Sequence, residues 1–137
     1  MSKNTTFQVD SGSNNYFVTS GQLVSSFSPV IVAVPHTLGV IPKYIKFHAS
    51  GFYGDGNSGT NIPFPGSSYC IYDVSNGTYN GISENTNLTS HLFRLNGGQG
   101  TGVALMQGTI TNITSTNIEI TINPFNGNSC GYVMELT

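Results

Sequence analysis

The stretch Gly108-Thr-Ile-Thr-Asn-Ile-Thr-Ser-Thr-Asn-Ile-Glu-Ile-Thr-Ile122 decides how this chain folds. In its second half Ile118, Ile120 and Ile122 alternate with Glu119 and Thr121. A period of two sends successive side chains to opposite faces of a strand, so the three isoleucines face a core and Glu119 and Thr121 face outward. The run from Val103 to Ile113 leads into it, and Thr114-Ser115-Thr116-Asn117 supplies the turn between them. Two such runs joined by a short polar connection read as a β-hairpin.

The same pattern extends in both directions. Short runs lie at Thr6–Val9 and Tyr16–Ser20, and a long one at Gln22–Pro35. In the long run Leu23, Ser25 and Phe27 alternate before Val30–Val34 becomes continuously apolar. Pro29, between these halves, marks a kink or a change of sheet. Further strands are expected at Pro42–Phe52, Tyr69–Val74, Thr78–Ile82, Thr89–Leu95 and Gly131–Leu136. Ser75-Asn76-Gly77 is a strong turn signal, and Gly54–Gly66 reads as a polar loop. No segment shows a helical period. Turn signals spaced roughly 8–12 residues apart give an all-β, antiparallel β-sandwich, jelly-roll-like, of about eight strands. One domain spans residues 1–137, with residues 1–10 as an extended N-terminal arm.

Only 7% of the 137 residues are charged, against roughly 25% in an average soluble domain. A surface covered by Asn, Thr, Ser and Gly has little repulsion to keep copies apart, which favours packing against neighbours. Lys3, Lys43, Lys46 and Arg94 are the only cations. Four scattered charges cannot displace the counterions of a phosphate backbone, so no nucleic-acid partner is expected. The N-terminus has no apolar signal region and no run of 18 apolar residues occurs, so the expectation is cytoplasmic synthesis without membrane insertion. The sequons at Asn4, Asn76, Asn87 and Asn112 are expected to stay unused.

Residues capable of chemistry are few and scattered. His36, His48 and His91 lack metal-ligand spacing, so no metal or other cofactor is expected. Asp55-Gly-Asn57-Ser-Gly59 alternates oxygen ligands like a calcium loop but lacks the distal glutamate. Gly97–Gly102 has no following Lys-Ser or Lys-Thr and no helix, so it is a loop rather than a phosphate cradle. Asp10, Asp55, Asp73, Glu84, Glu119 and Glu135 form no recognisable acid–base pair, and no nucleophile elbow occurs, so enzymatic activity is not expected. Cys70 and Cys130 read as reduced thiols in apolar strands, a bridge remaining open if those strands adjoin. Among the aromatics, Phe64 and Tyr72 read as core filling. Phe52, Tyr53 and Tyr79, beside Gly/Asn-rich loops, are the candidate contact surface, since aromatic faces suit sugar CH groups.

Val34-Pro-His-Thr-Leu-Gly-Val-Ile-Pro-Lys-Tyr-Ile-Lys-Phe47 resembles a stretch of bacteriophage tail-fibre and virion-surface β-sandwich domains, with the pattern His-x-Leu-Gly-x-x-Pro. The 108–122 hairpin and the ending Gly131–Leu136 resemble the end of those domains in layout. The chain departs from them at Asn117, where many have Gly, and in having no Trp. Within the motif Leu38 is expected to plug the end of the sandwich, Gly39 to take a positive φ, Pro42 to open the next strand, and His36 to hydrogen-bond backbone across the corner. The resemblance implies a phage structural protein located in the virion. The leading expectation is a capsid decoration (cement) protein, trimeric by analogy and docked on the major capsid protein, with edge strands and residues 1–10 as anchors. The alternative is a receptor-binding tail-fibre tip or lectin-like module, held by tail proteins and reading host-surface glycans through loops 53–66 and 76–87.

Overall fold

Ile118, Ile120 and Ile122 are fully buried, and Glu119 and Thr121 between them are only half-buried. The alternation therefore becomes a strand with one face in a core. The computed structural model describes residues 16–26, 28–55, 61–63, 66–83, 86–96, 104–123 and 128–137. At 51–55, 61–63, 86, 96, 104 and 105 only the backbone is described. The arm at residues 1–10 and the Gly97–Gly102 loop lie outside the described residues.

Among the described residues eleven strands form two antiparallel sheets. They are β1 (Phe17–Val24), β2 (Val30–Pro35), β3 (Tyr44–Asp55), β4 (Asn61–Pro63), β5 (Ser67–Asp73), β6 (Thr78–Ser83), β7 (Thr86–Leu88), β8 (Phe93–Asn96), β9 (Ala104–Ile113), β10 (Asn117–Ile122) and β11 (Ser129–Leu136). The large sheet has the order β1-β11-β3-β5-β6-β7, with β4 on β3, and the small sheet the order β2-β10-β9-β8. First pairs with last and second with second-last, as in a jelly roll. The middle of the chain departs from that wrap, because β3 to β7 meander in the large sheet and β8 to β10 in the small one.

Two of the strands beyond the expected eight, β4 and β7, are three residues long and carry too little alternation to be read. Residues 54, 55 and 61–63 of the expected polar loop are ladder: Gly54 faces Ile62 and Asp55 faces Asn61. Thr86–Leu88 is likewise a strand, paired with β6. Residues 89–92, expected to begin a strand, instead cross between the sheets. The strand expected at Gly131–Leu136 is β11, which begins at Ser129 and sits between β1 and β3. Pro29 does mark a change of sheet, since β1 and β2 belong to different sheets.

Both sheets fill one core. Phe47 of β3 stacks on Tyr132 of β11, with ring centroids 5.3 Å apart, and on Phe93 of the small sheet at 5.6 Å. Gly108 makes room for this stack, since a Cβ there would lie 2.5 Å from the Phe93 ring. Polar clasps hold the crossovers. Ser25 N–H donates to the Asn128 carbonyl at 2.8 Å, and Asn128 N–H donates to Ser25 Oγ at 3.0 Å. These bonds join the β1–β2 and β10–β11 crossovers with their buried polar groups satisfied. On the far side the Ser83 hydroxyl donates to the Arg94 carbonyl, tying β6 to β8.

Candidate functional site

The His-x-Leu-Gly-x-x-Pro corner is built from backbone hydrogen bonds. His36 is buried, and its main-chain N–H donates to the Thr116 carbonyl at 2.8 Å. Leu38 N–H donates to His36 Nδ1 at 3.2 Å, so Nε2 carries the proton and donates to the Thr114 carbonyl at 3.0 Å. The imidazole thus pins the β2–β3 crossover to the β9–β10 turn. Gly39 has φ 74°, a conformation that strains other residues, and half-buried Leu38 packs on the end of the core. Pro42 is buried just ahead of β3, which begins at Tyr44.

This corner encloses a cavity of about 300 Å³ lined by Leu38, Val40, Ile41, Pro42, Lys43, Tyr44 and Thr137. Val40, Ile41 and Tyr44 are exposed there. The cavity rim is held by Lys43 N–H donating to the Thr137 carbonyl at 2.7 Å.

Tyr44 also begins the outer face of the large sheet. Along β3 the buried residues Ile45, Phe47 and Ala49 alternate with Tyr44, Lys46 and His48, so the latter three point away from the core. Register aligns Ser20, Val133, His48, Tyr69 and Ile82 in one cross-strand row. The next row is Val18, Glu135, Lys46, Ile71 and Asn80. Val18, Tyr69, Ile82 and Val133 are 40–51% exposed, and the His48 ring meets Tyr69 edge-on at 6.4 Å. Exposed apolar side chains therefore recur on β1, β11, β5 and β6 of this face, interspersed with Ser20, His48, Lys46, Glu135 and Asn80, and Tyr44 stands at the end of β3 beside the cavity.

Of the expected contact aromatics Phe52, Tyr53 and Tyr79, only Tyr79 has a described side chain. Phe52 and Tyr53 lie on β3, where only the backbone is described; Tyr53 pairs with Pro63 and Ser129. Tyr79 is half-buried and tilts against Tyr72, centroids 4.6 Å apart. Its hydroxyl accepts the Ile110 N–H at 2.9 Å, which makes it a tie between sheets. Burial raises the pKa of its hydroxyl, and that hydrogen bond works in the opposite direction. Tyr72 packs against the core, and Phe64 lies outside the described residues. The outer-face residues Val18, Val133, His48, Tyr69 and Ile82 were not singled out from sequence. Their signal was present in Tyr69-Cys70-Ile71-Tyr72, apolar at both parities, as in strands covered on both faces.

Cys70 and Cys130 are free and buried under the large sheet. Their strands flank β3 on opposite sides, two ladder spacings or about 9–10 Å apart, beyond disulfide reach. Burial pushes the Cys70 thiol up to about 11, opposed by a hydrogen bond with the Asn80 backbone, and the Cys130 thiol up to about 12. His91 shifts the other way, lowered by burial and by the nearby Arg94 charge. Among the described residues no three His, Cys, Asp or Glu side chains gather as a metal site. The Asp55–Gly59 stretch lies outside them apart from the Asp55 backbone. No helix among them is long and apolar enough to cross a membrane.

Comparison of the chain with protein-family models, curated proteins and solved structures returned no match.

Proposed function

We propose that the protein acts by contact rather than by chemistry, as a bacteriophage capsid decoration (cement) protein docked on the head surface. The supporting observation is the set of exposed apolar side chains Val18, Val133, Tyr69 and Ile82 on the outer face of the large sheet, together with Val40, Ile41 and Tyr44 at the corner. Monomeric soluble proteins keep contiguous apolar patches small, and a larger one marks a place where something docks. A cement must hold both the particle and its neighbours, which takes an extended surface on a small body. The 7% charge content lowers the desolvation cost of covering that surface. The resemblance at Val34–Phe47 supplies the phage context.

Mass spectrometry and imaging of purified particles test this reading. Hundreds of copies on the head support decoration; absence from particles contradicts it. A second reading, a receptor-binding tail tip or glycan-binding module, is favoured by the exposed Tyr44 ring beside Lys43 at the corner cavity. An aromatic face next to a cation suits an acidic sugar. A few copies at the tail tip, with binding to a glycan array, would select it.

A further inference from the structure

The two rows on the large sheet's outer face are complementary to themselves. Their charged members, Lys46 and Glu135, stand opposite each other on β3 and β11. We propose that this face receives a second copy of the same chain, about a two-fold axis parallel to the strands and midway between β3 and β11. The proposal rests on the contact reading above and names the partner at that surface.

Such an axis exchanges lateral positions, so β11 of one copy covers β3 of the other and β1 covers β5. Lys46 of each copy then meets Glu135 of the other, Val18 meets Ile71, and Val133 meets His48. Other placements lose this match. An axis between β3 and β5 sets Lys46 against Ile71 and Glu135 against Asn80. An axis perpendicular to the strands at this row sets Lys46 on Lys46. Two-fold interfaces require such a self-complementary patch, and strands related by this axis pack in the aligned manner of sandwich sheets.

Four overlapped strands at about 4.8 Å spacing and about seven residues of length give on the order of 450 Å² of projected face per copy. That is at the low end for a stable complex, so association in solution is weak and concentration-dependent. On a crowded particle the effective concentration is high, and a weak clasp between neighbours suffices to bridge them. The Leu38–Tyr44 corner stays at the edge of the dimer, free to hold the particle.

Sedimentation equilibrium of the full chain from micromolar to millimolar concentration tests this. A monomer–dimer equilibrium is expected. Lys46→Glu and Glu135→Lys should each weaken it by about tenfold or more, because like charges then face each other. Mixing the two variants should restore a heterodimer, since one copy now presents two carboxylates and the other two ammonium groups. Restoration on mixing separates contact between copies from the cross-strand effect within each chain, and thermal melts check that both variants fold. Tyr69→Lys, on the same face but outside the pair, should also abolish the dimer. A monomer at all concentrations, a trimer, or a dimer indifferent to both reversals overturns the proposal. A monomer that still coats particles overturns the second copy alone; a dimer absent from particles overturns the cement reading alone.

Discussion

The two sheets turn different outer faces to their surroundings. On the large sheet the outward positions include Val18, Val133, His48, Tyr69, Ile71 and Ile82, interspersed with Ser20, Asn80 and the Lys46–Glu135 pair. On the small sheet they are Thr109, Thr111, Asn112, Glu119 and Thr121, with Ile31 and Ala33 on the edge strand β2. There the Thr111 and Thr121 hydroxyls hydrogen-bond to each other across strands. Threonines satisfy the pleat's preference for branched side chains while keeping a polar tip in water. The small sheet is thus finished as a solvent surface, and the large one is left to be covered. The core beneath is continuous, so the difference lies in what each outer face is built to meet.

That contrast depends on the inside and outside of each sheet being correctly assigned, and two glycines test this with the largest effect. Gly108 lies under the Phe93 ring, whereas a Cβ at Gly131 would meet only carbonyl oxygens at 3.5 and 3.8 Å on the outer face. Gly108→Ala should cost about 1–3 kcal/mol in urea unfolding, because a fully buried ring cannot give way. Gly131→Ala should stay within about 0.5 kcal/mol. Equal costs would reverse the assignment.

The thiols under the large sheet sharpen the comparison through pH. Both are protonated in the native state well above the usual thiol range, at about 11 for Cys70 and about 12 for Cys130. The unfolded chain releases these protons from about pH 8.5 upward while the native one retains them, so the thiols leave stability unchanged below that and lower it as pH rises toward 11–12. Cys130→Val should flatten this alkaline limb in thermal melts. In the native protein at pH 8 neither thiol should react with a disulfide reagent, and both should react in guanidine. A native reaction would show that the large sheet opens readily.

The smallest effect is expected at the β5–β6 turn, at the edge of the large sheet. Asp73 Oδ1 accepts the Asn76 N–H at 3.2 Å and the Ser75 hydroxyl at 3.0 Å. Slight desolvation raises its pKa, but these hydrogen bonds outweigh that and hold it below the usual carboxylate range. Its contribution is present above the unfolded value and lost as pH falls through the folded one. Asp73→Ala should lower the melting midpoint slightly at neutral pH and remove that acid limb.

The sequence made the sandwich legible wherever one parity was apolar and the other polar, as in Ile118–Ile122, and wherever a turn needed Gly, as at Gly39 and Gly77. It also anticipated the His36 bonds across the corner. Thr86–Leu88 and Asn61–Pro63 escaped because three residues show no period. The apolar outer face escaped for another reason. Its members come from β1, β3, β5, β6 and β11, and only strand register aligns Val133 with His48 and Tyr69. Tyr79 was misleading because proximity to Gly and Asn in sequence does not reveal that its hydroxyl reaches Ile110.

Particle binding by a matched pair of single substitutions tests the central claim most directly. Tyr69→Lys puts a charge on the outer face of the large sheet, and Thr121→Lys puts the same charge on that of the small sheet. The first variant should fold but, having lost the clasp between neighbouring copies, co-sediment with phage heads far more weakly, while the second should bind as the parent does. Equal binding by both, or loss only with Thr121→Lys, would contradict that claim.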